Sequence, residues 1–141
     1  MNTQYIENTL NQLNEIISLD YLDFIKDNPK TISFNSEKFN LFTIDELCKP
    51  VVIHGMEILT IHSLKAHVPN LQKVNSNFTY DQNGIAFSLH RFSLSVLIGY
   101  ANENLIFIDY RDKNRIYIFH PKSRDITKTA LTVNKIIKNE Y

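Results

Sequence analysis

Apolar and polar positions alternate most regularly in the last third of the chain. In residues 105–110, Leu105, Phe107 and Asp109 alternate against Ile106, Ile108 and Tyr110; in residues 115–120, Ile116, Ile118 and His120 alternate against Tyr117 and Phe119. A period of two predicts strands, and residues 93–100 read as a third. The connections 101–104 and 111–114 are short and polar, so these strands form an antiparallel meander, since a parallel pair needs a crossover of roughly a dozen residues. Both faces of the meander are apolar, so each must be covered. The cover is expected from helices at the two ends of the chain.

The front of the chain has the other period. Ile6, Leu10, Leu13, Ile16 and Ile17 step at three-four spacing, which predicts a helix over 6–17. Ser18 is placed to cap a second helix over 19–27, stopped by Asn28-Pro29. Residues 31–34 read as a short strand. Thr43 and Glu46 have the spacing of a capping box, starting a helical turn through Leu47 that Pro50 ends. Residues 51–53 and 57–62 are β-branched runs around His54-Gly55, two strands or one bent strand. Residues 63–71 predict a brief helix broken by Pro69, and 74–83 a long polar loop. The closing segment, 125–139, predicts a helix with Ile126, Ala130, Val133, Ile136 and Ile137 along one side. The expected fold is a single α+β domain over 1–141: a central, mainly antiparallel sheet, an N-terminal helical pair and a C-terminal helix.

Composition narrows the chemistry. The chain has 141 residues, 15 Lys plus Arg against 15 Asp plus Glu, and only three glycines. The balance removes the global basic field of an electrostatic nucleic-acid binder, and the glycines leave no phosphate loop or dinucleotide fingerprint. One cysteine, Cys48, excludes an internal disulfide and any Cys-x-x-Cys site; it reads as a small buried hydrophobe. Residues 1–13 lack the basic flank and apolar run of a signal peptide, and no run is long enough to span a membrane, so a soluble cytoplasmic protein is expected. The charge is uneven: residues 1–50 hold 4 Lys and 8 Asp or Glu, residues 51–100 sum to +1, and residues 101–141 sum to +3. These halves either attract each other, sit in water, or steer a charged partner.

The five histidines, His54, His62, His67, His90 and His120, form no metal-binding spacing. On one extended strand His54 and His62 would stand roughly 26 Å apart. No Gly-x-Ser-x-Gly elbow exists. No catalytic residue, cofactor or metal is therefore assigned. An enzyme would need His90, His120, Asp109 or Asp125 to converge in a cleft. A nucleic-acid module would need the basic residues of 111–124 to merge with Lys135 and Lys138 into one stripe.

Two longer stretches carry a likeness. Leu19-Asp20-Tyr21-Leu22-Asp23-Phe24-Ile25-Lys26-Asp27-Asn28 is similar to a helix signature in which a Leu-Pro-like lead-in precedes Tyr-x-x-Phe-Leu and an Asn. Ile98-Gly99-Tyr100-Ala101-Asn102-Glu103-Asn104-Leu105-Ile106-Phe107-Ile108-Asp109 looks like a central hairpin: an apolar strand reaching a glycine, a small polar turn, and a strand ending in Asp. In this order, with the 116–120 strand and a C-terminal helix following, they resemble the SUKH superfamily. The chain departs from that pattern at Ser18, at Pro29 where a glycine is usual, and in having no tryptophan. The resemblance implies an α+β binding protein rather than an enzyme, of the bacterial immunity type, whose partner is a cognate secreted toxin. Expected contact residues are polar and aromatic positions at strand ends and turns: Asp81, Glu103, Asp109, Tyr110, Arg111 and Asp112. Oligomeric state is set by none of these features.

Overall fold

The alternating runs pair as expected. In the computed structural model, which describes residues 11, 19–26, 29–34, 36–75, 78–81 and 83–139, strands β7 (Val96–Ala101), β8 (Asn104–Asp109) and β9 (Arg115–His120) form the antiparallel meander. The β8–β9 register sets Ile106 opposite Ile118, Phe107 opposite Tyr117 and Ile108 opposite Ile116. Period-two geometry then sorts the side chains onto two faces. On one face Val96, Ile98, Ile106, Ile108, Ile116 and Ile118 pack against Tyr21, Leu22 and Ile25 of helix α1 (Leu19–Lys26) and against Val133 and Ile136. On the other, Leu97, Phe107, Tyr117 and Phe119 meet Leu64, Leu71, Phe87, Leu89 and Phe92. Aromatic edges dominate this second core, with Phe92 standing 4.9 Å from Phe119 and 5.6 Å from Phe107, ring centre to ring centre.

The full sheet has eight strands in the order β1-β2-β7-β8-β9-β10-β5-β6. Here β1 is Lys30–Phe34, β2 Glu37–Leu41, β5 Phe78–Asp81, β6 Ala86–Ser88 and β10 Asp125–Thr132. Every pairing is antiparallel except β10 with β5, where Asp125 lies opposite Tyr80 and Ile126 opposite Asp81. A separate two-stranded hairpin, β3 (Pro50–Ile53) and β4 (Met56–Leu59), stands outside this sheet. The capping box is present: Glu46 N donates to Thr43 Oγ1 at 3.2 Å and Thr43 N to Glu46 Oε1 at 3.0 Å, opening the short helix α2 (Ile44–Leu47).

Several expectations are corrected. Residues 125–132 are strand, and the C-terminal helix is confined to the short α5 (Val133–Ile137). The Ile126-to-Ile137 spacing fits a helix, but β9 is buried on both faces and its outer edge needs hydrogen-bond partners, which β10 supplies. A register shift between Lys128 and Thr132 bends β10, and there Thr129 Oγ1 donates to the Ile116 carbonyl at 2.6 Å in place of a regular rung. Residues 60–67 wind as a 3₁₀ helix, η1 (Thr60–His67), continuing into α3 (Val68–Asn75). Pro69 does not break that helix; it lies in the first turn, where its missing N–H costs nothing. The long loop expected over 74–83 contains β5, and the strand expected from residue 93 starts at Val96, after α4 (Leu89–Leu94), which Ser88 caps. Strand β2 was not anticipated. The helix expected over 6–17 and its neighbour's Ser18 cap lie outside the described residues.

Candidate functional site

The β3–β4 hairpin forms one wall of a cleft against the main sheet. Its two-residue turn, His54-Gly55, takes positive φ at both positions (51° and 78°), the geometry that matches the twist of paired strands. At the hairpin's open end the Lys49 carbonyl accepts from Thr60 N at 3.0 Å and Thr60 Oγ1 at 2.8 Å, locking β4's exit against β3's entrance. Held this way, the hairpin and the face of the main sheet bound a cleft of about 600 Å³. Its walls are Phe42, Val51, Ile53, Leu97, Leu105 and Pro121; Glu46, Lys49, His67 and Glu103 also line it. Beside it lies a smaller cavity of about 260 Å³ with a polar lining of His54, His67, Asn70 and Arg124. Asn70 Nδ2 stands 3.3 Å from His54 Nε2 and donates to it. The His67 ring meets Phe119 edge-on, centroids 5.2 Å apart. Burial, and then the neighbouring His54, hold His67 below the ordinary imidazole range.

At the opposite end of β8, a second polar arrangement braces the turn into β9. Arg91, from α4, stacks its guanidinium over the Phe87 ring at 4.3 Å, donates through Nε to Asp109 Oδ2, and donates through Nη2 to Tyr117 Oη at 3.1 Å. Tyr117 Oη in turn donates to Asp112 Oδ2 at 2.7 Å, which also accepts from Arg115 Nε at 2.8 Å. Asp109 Oδ1 receives the Arg111 amide at 3.0 Å, capping the 3₁₀ turn η2 (Tyr110–Asp112). Hydrogen bonding from Tyr117, with Arg115 adding to it, holds the Asp112 carboxyl below the usual carboxylate range. Burial, then the bond to Asp112, pushes the Tyr117 hydroxyl up to about 12.

No family model, no curated protein and no solved structure matches the chain. The site must therefore be read from its own geometry.

The six expected contact residues do not form one patch. Glu103 is exposed in the β7–β8 turn, on the rim of the larger cleft. Tyr110, Arg111 and Asp112 follow the other end of β8, roughly 17 Å away along the strand. Asp81 closes β5, beside β10. Asp109 departs furthest from expectation: at 1% exposure it is internal, bound to Arg91 and the η2 backbone rather than offered to a partner. Tyr110 is half-buried under Arg111, whose guanidinium lies 5.7 Å from its ring centre, and Arg111 itself is exposed.

The histidines divide similarly. Asn104 Nδ2 donates to both Glu37 carboxylate oxygens, at 3.0 and 3.1 Å, so its Oδ1 faces His120 Nδ1 at 2.9 Å as acceptor. His120 Nδ1 then carries the proton, and Thr127 Oγ1 donates to Nε2 at 2.8 Å. This chain of bonds laces β2, β8, β9 and β10 together. Asp125 Oδ1 accepts from Ser123, and His90 is exposed on α4. Among the described residues no group of three or more His, Cys, Asp or Glu could hold a metal ion, and no helix is long and apolar enough to cross a membrane. Cys48 is buried behind α2. The basic residues 111–115 and 122–124 sit at opposite ends of β9, and Arg115 is engaged with Asp112. What sequence reasoning missed is that His54 and His67 line one cavity, and the role of Arg91. Neither has a spacing signal, because hairpin, 3₁₀ helix and sheet meet only in three dimensions.

Proposed function

We propose that this chain is a small cytoplasmic binding protein that neutralises a cognate protein toxin by covering the toxin's active surface. The braced β8–β9 turn carries the reading. Tyr110 and Arg111 belong to the residue types enriched at interface centres, and the Arg91–Asp109 and Asp112–Arg115–Tyr117 bonds fix the backbone that presents them. A surface ordered before binding avoids the ordering cost that a mobile loop incurs at association. Lys113 and Asn114, both at positive φ (55° and 57°), complete the turn and hold its direction into β9. The SUKH-like order of segments supplies the partner class.

The test is genetic and direct. A toxin gene immediately upstream is co-expressed with this chain, and growth and binding are measured. Protection is expected, with Tyr110→Ala plus Arg111→Glu weakening binding about 30-fold or more, the equivalent of about 2 kcal/mol at a central contact. Failure to protect cells from, or to bind, the neighbour's product would reject the reading. Unchanged affinity in the double variant would reject the face.

A further inference from the structure

The two cavities under the hairpin take no part in that proposed contact, and they share a wall. His67 and Pro121 line both, so the apolar cleft of about 600 Å³ and the polar cavity of about 260 Å³ adjoin across these two side chains. The larger falls within the roughly 300 to 1,000 Å³ typical of small-ligand sites. The chemistry changes along the groove. Its floor and sides over Phe42, Val51, Leu97 and Leu105 are hydrocarbon, whereas the smaller cavity adds to Leu71 and Phe119 an exposed arginine, Arg124, an amide, Asn70, and two imidazoles. None of the described residues lining the polar end is a carboxylate. Both carboxylates of the groove, Glu46 and Glu103, line the apolar cleft instead.

We propose that the two adjoining cavities act as one site for a small amphiphile, an unbranched monocarboxylate whose hydrocarbon body lies over Phe42, Val51, Leu97 and Leu105 and whose carboxylate sits among His54, His67 and Arg124. Charge fixes the orientation. At the polar end the anion gains charge-assisted hydrogen bonds; reversed, it would face two carboxylates, Glu46 and Glu103, against one cation, Lys49, while the polar lining lay against hydrocarbon. Burial of methylenes supplies the affinity, and the basic end selects an acid over the corresponding alcohol. The charged and titratable groups around His67 are His54 and Arg124 across the smaller cavity and Glu46, Lys49 and Glu103 across the larger. An anion beside His67 favours its protonated form, which burial and the neighbouring His54 disfavour in the empty site, so binding takes up a proton there and tightens as pH falls.

Titration calorimetry of the full chain with octanoate, decanoate, dodecanoate and dodecanol tests the assignment. Saturable one-to-one binding is expected, tightening about fourfold with each added methylene. Dodecanol should bind about tenfold more weakly than dodecanoate, and dodecanoate should bind more tightly at pH 6 than at pH 8. Arg124→Gln is expected to weaken dodecanoate about tenfold while keeping the chain-length increment. Val51→Asp should abolish binding. Arg124 is exposed and contributes its carbonyl to Thr79 through the backbone, so its substitution leaves the fold intact even if Val51→Asp does not. Absence of saturable binding by any of the acids, equal affinity for dodecanol, or an Arg124→Gln protein indistinguishable from the parent would each overturn the proposal.

Discussion

Gly99→Ala tests how the front of the chain is attached to the central sheet. A Cβ on Gly99 would lie 2.5 Å from the Asn40 carbonyl oxygen and 3.2 Å from both Cγ1 and Cδ1 of Ile106. The isoleucine can yield by a few tenths of an ångström; the carbonyl is backbone and cannot, so β2 must move. Few bonds tie it to the rest of the sheet: two residue pairs, Asn40 with Tyr100 and Leu41 with Gly99, one further bond from Phe42 N to the Ile98 carbonyl at 2.7 Å, and the Asn104 amide on the Glu37 carboxylate at the strand's far end. Yet β1 and β2 deliver Ile32, Phe39 and Leu41 to the core at 1%, 0% and 4% exposure. Forcing an extra methyl into such a contact costs about 1 to 3 kcal/mol, which in a chain of this size lowers Tm by about 3 to 12 °C. Gly55→Ala is the control. At φ 78° it too is strained, but nothing lies within 4 Å of its Cβ and it sits in the detached hairpin. Calorimetry gives the total loss, and amide hydrogen exchange locates it. Gly99→Ala should accelerate exchange selectively in β1 and β2, with β8 and β9 following only global unfolding, whereas Gly55→Ala should leave β2 protected. A Gly99→Ala protein as stable as the parent, or one in which exchange rises uniformly, refutes the close-approach argument.

Asp109→Ala should cost about 2 to 3 kcal/mol in urea titrations, because it removes the buried carboxylate partner of Arg91 Nε and uncaps η2; this is below the roughly 3 to 5 kcal/mol of a fully buried pair because 33% of the Arg91 side chain reaches water and its Nη2 keeps Tyr117. A loss under about 0.5 kcal/mol would mean that the network does not brace the turn. For Tyr117, whose hydroxyl is pushed up to about 12 by burial and then by Asp112, the folded value lies above the unfolded value near 10. Its stabilisation is therefore complete below pH 10 and is lost as pH rises from 10 toward 12. Stability profiles from pH 9 to 11.5 should fall more steeply for the parent than for Tyr117→Phe, and parallel profiles would contradict the assignment.

The meander was legible because β8 and β9 carry unbroken period-two patterns with polar turns between them, information that is local in sequence. The capping box was legible for the same reason: Thr43 and Glu46 satisfy each other's backbone donors within one turn. Strand β10 was not, because Ile126, Ala130, Val133 and Ile137 suit a helix equally well, and the unpaired edge of β9 decides between the two. Strand β2 was overlooked although Glu37, Phe39 and Leu41 alternate against Lys38 and Asn40; its five residues are mostly polar, and its partners are β1 and the remote β7. At the site, the sequence places Asp109 at a strand end, where an exposed contact residue is expected. Its burial depends on Arg91, eighteen residues earlier, reaching it from α4, and no local pattern encodes that meeting. That His54 and His67 line one cavity is hidden likewise by the intervening hairpin and 3₁₀ helix.

The even charge total misled less than its division along the chain. Helix α1, bearing Asp20 and Asp23 from the acidic front, packs on α5 from the basic back, while Lys135 Nζ donates to the Ala130 carbonyl at 3.2 Å. Exposed charges of this kind contribute roughly 0 to 1 kcal/mol each and are screened within about 10 Å, so neither half projects a field that could by itself select a partner. Selectivity must then come from places where charged groups are gathered around a fixed backbone or a cavity, and the two ends of β8 are such places. One end holds Arg91, Asp109, Asp112 and Arg115 in an internally balanced set beneath Tyr110 and Arg111; the other holds His54, His67 and Arg124 around a cavity with no acidic lining residue among those described. With roughly 17 Å of strand between these ends and no shared side chain, substitutions at the two ends should combine additively. Arg111→Glu should therefore leave dodecanoate binding unchanged, and Arg124→Gln should leave neutralisation of the toxin unchanged. If the two effects prove coupled, the strand is transmitting strain between its ends and the two sites are one.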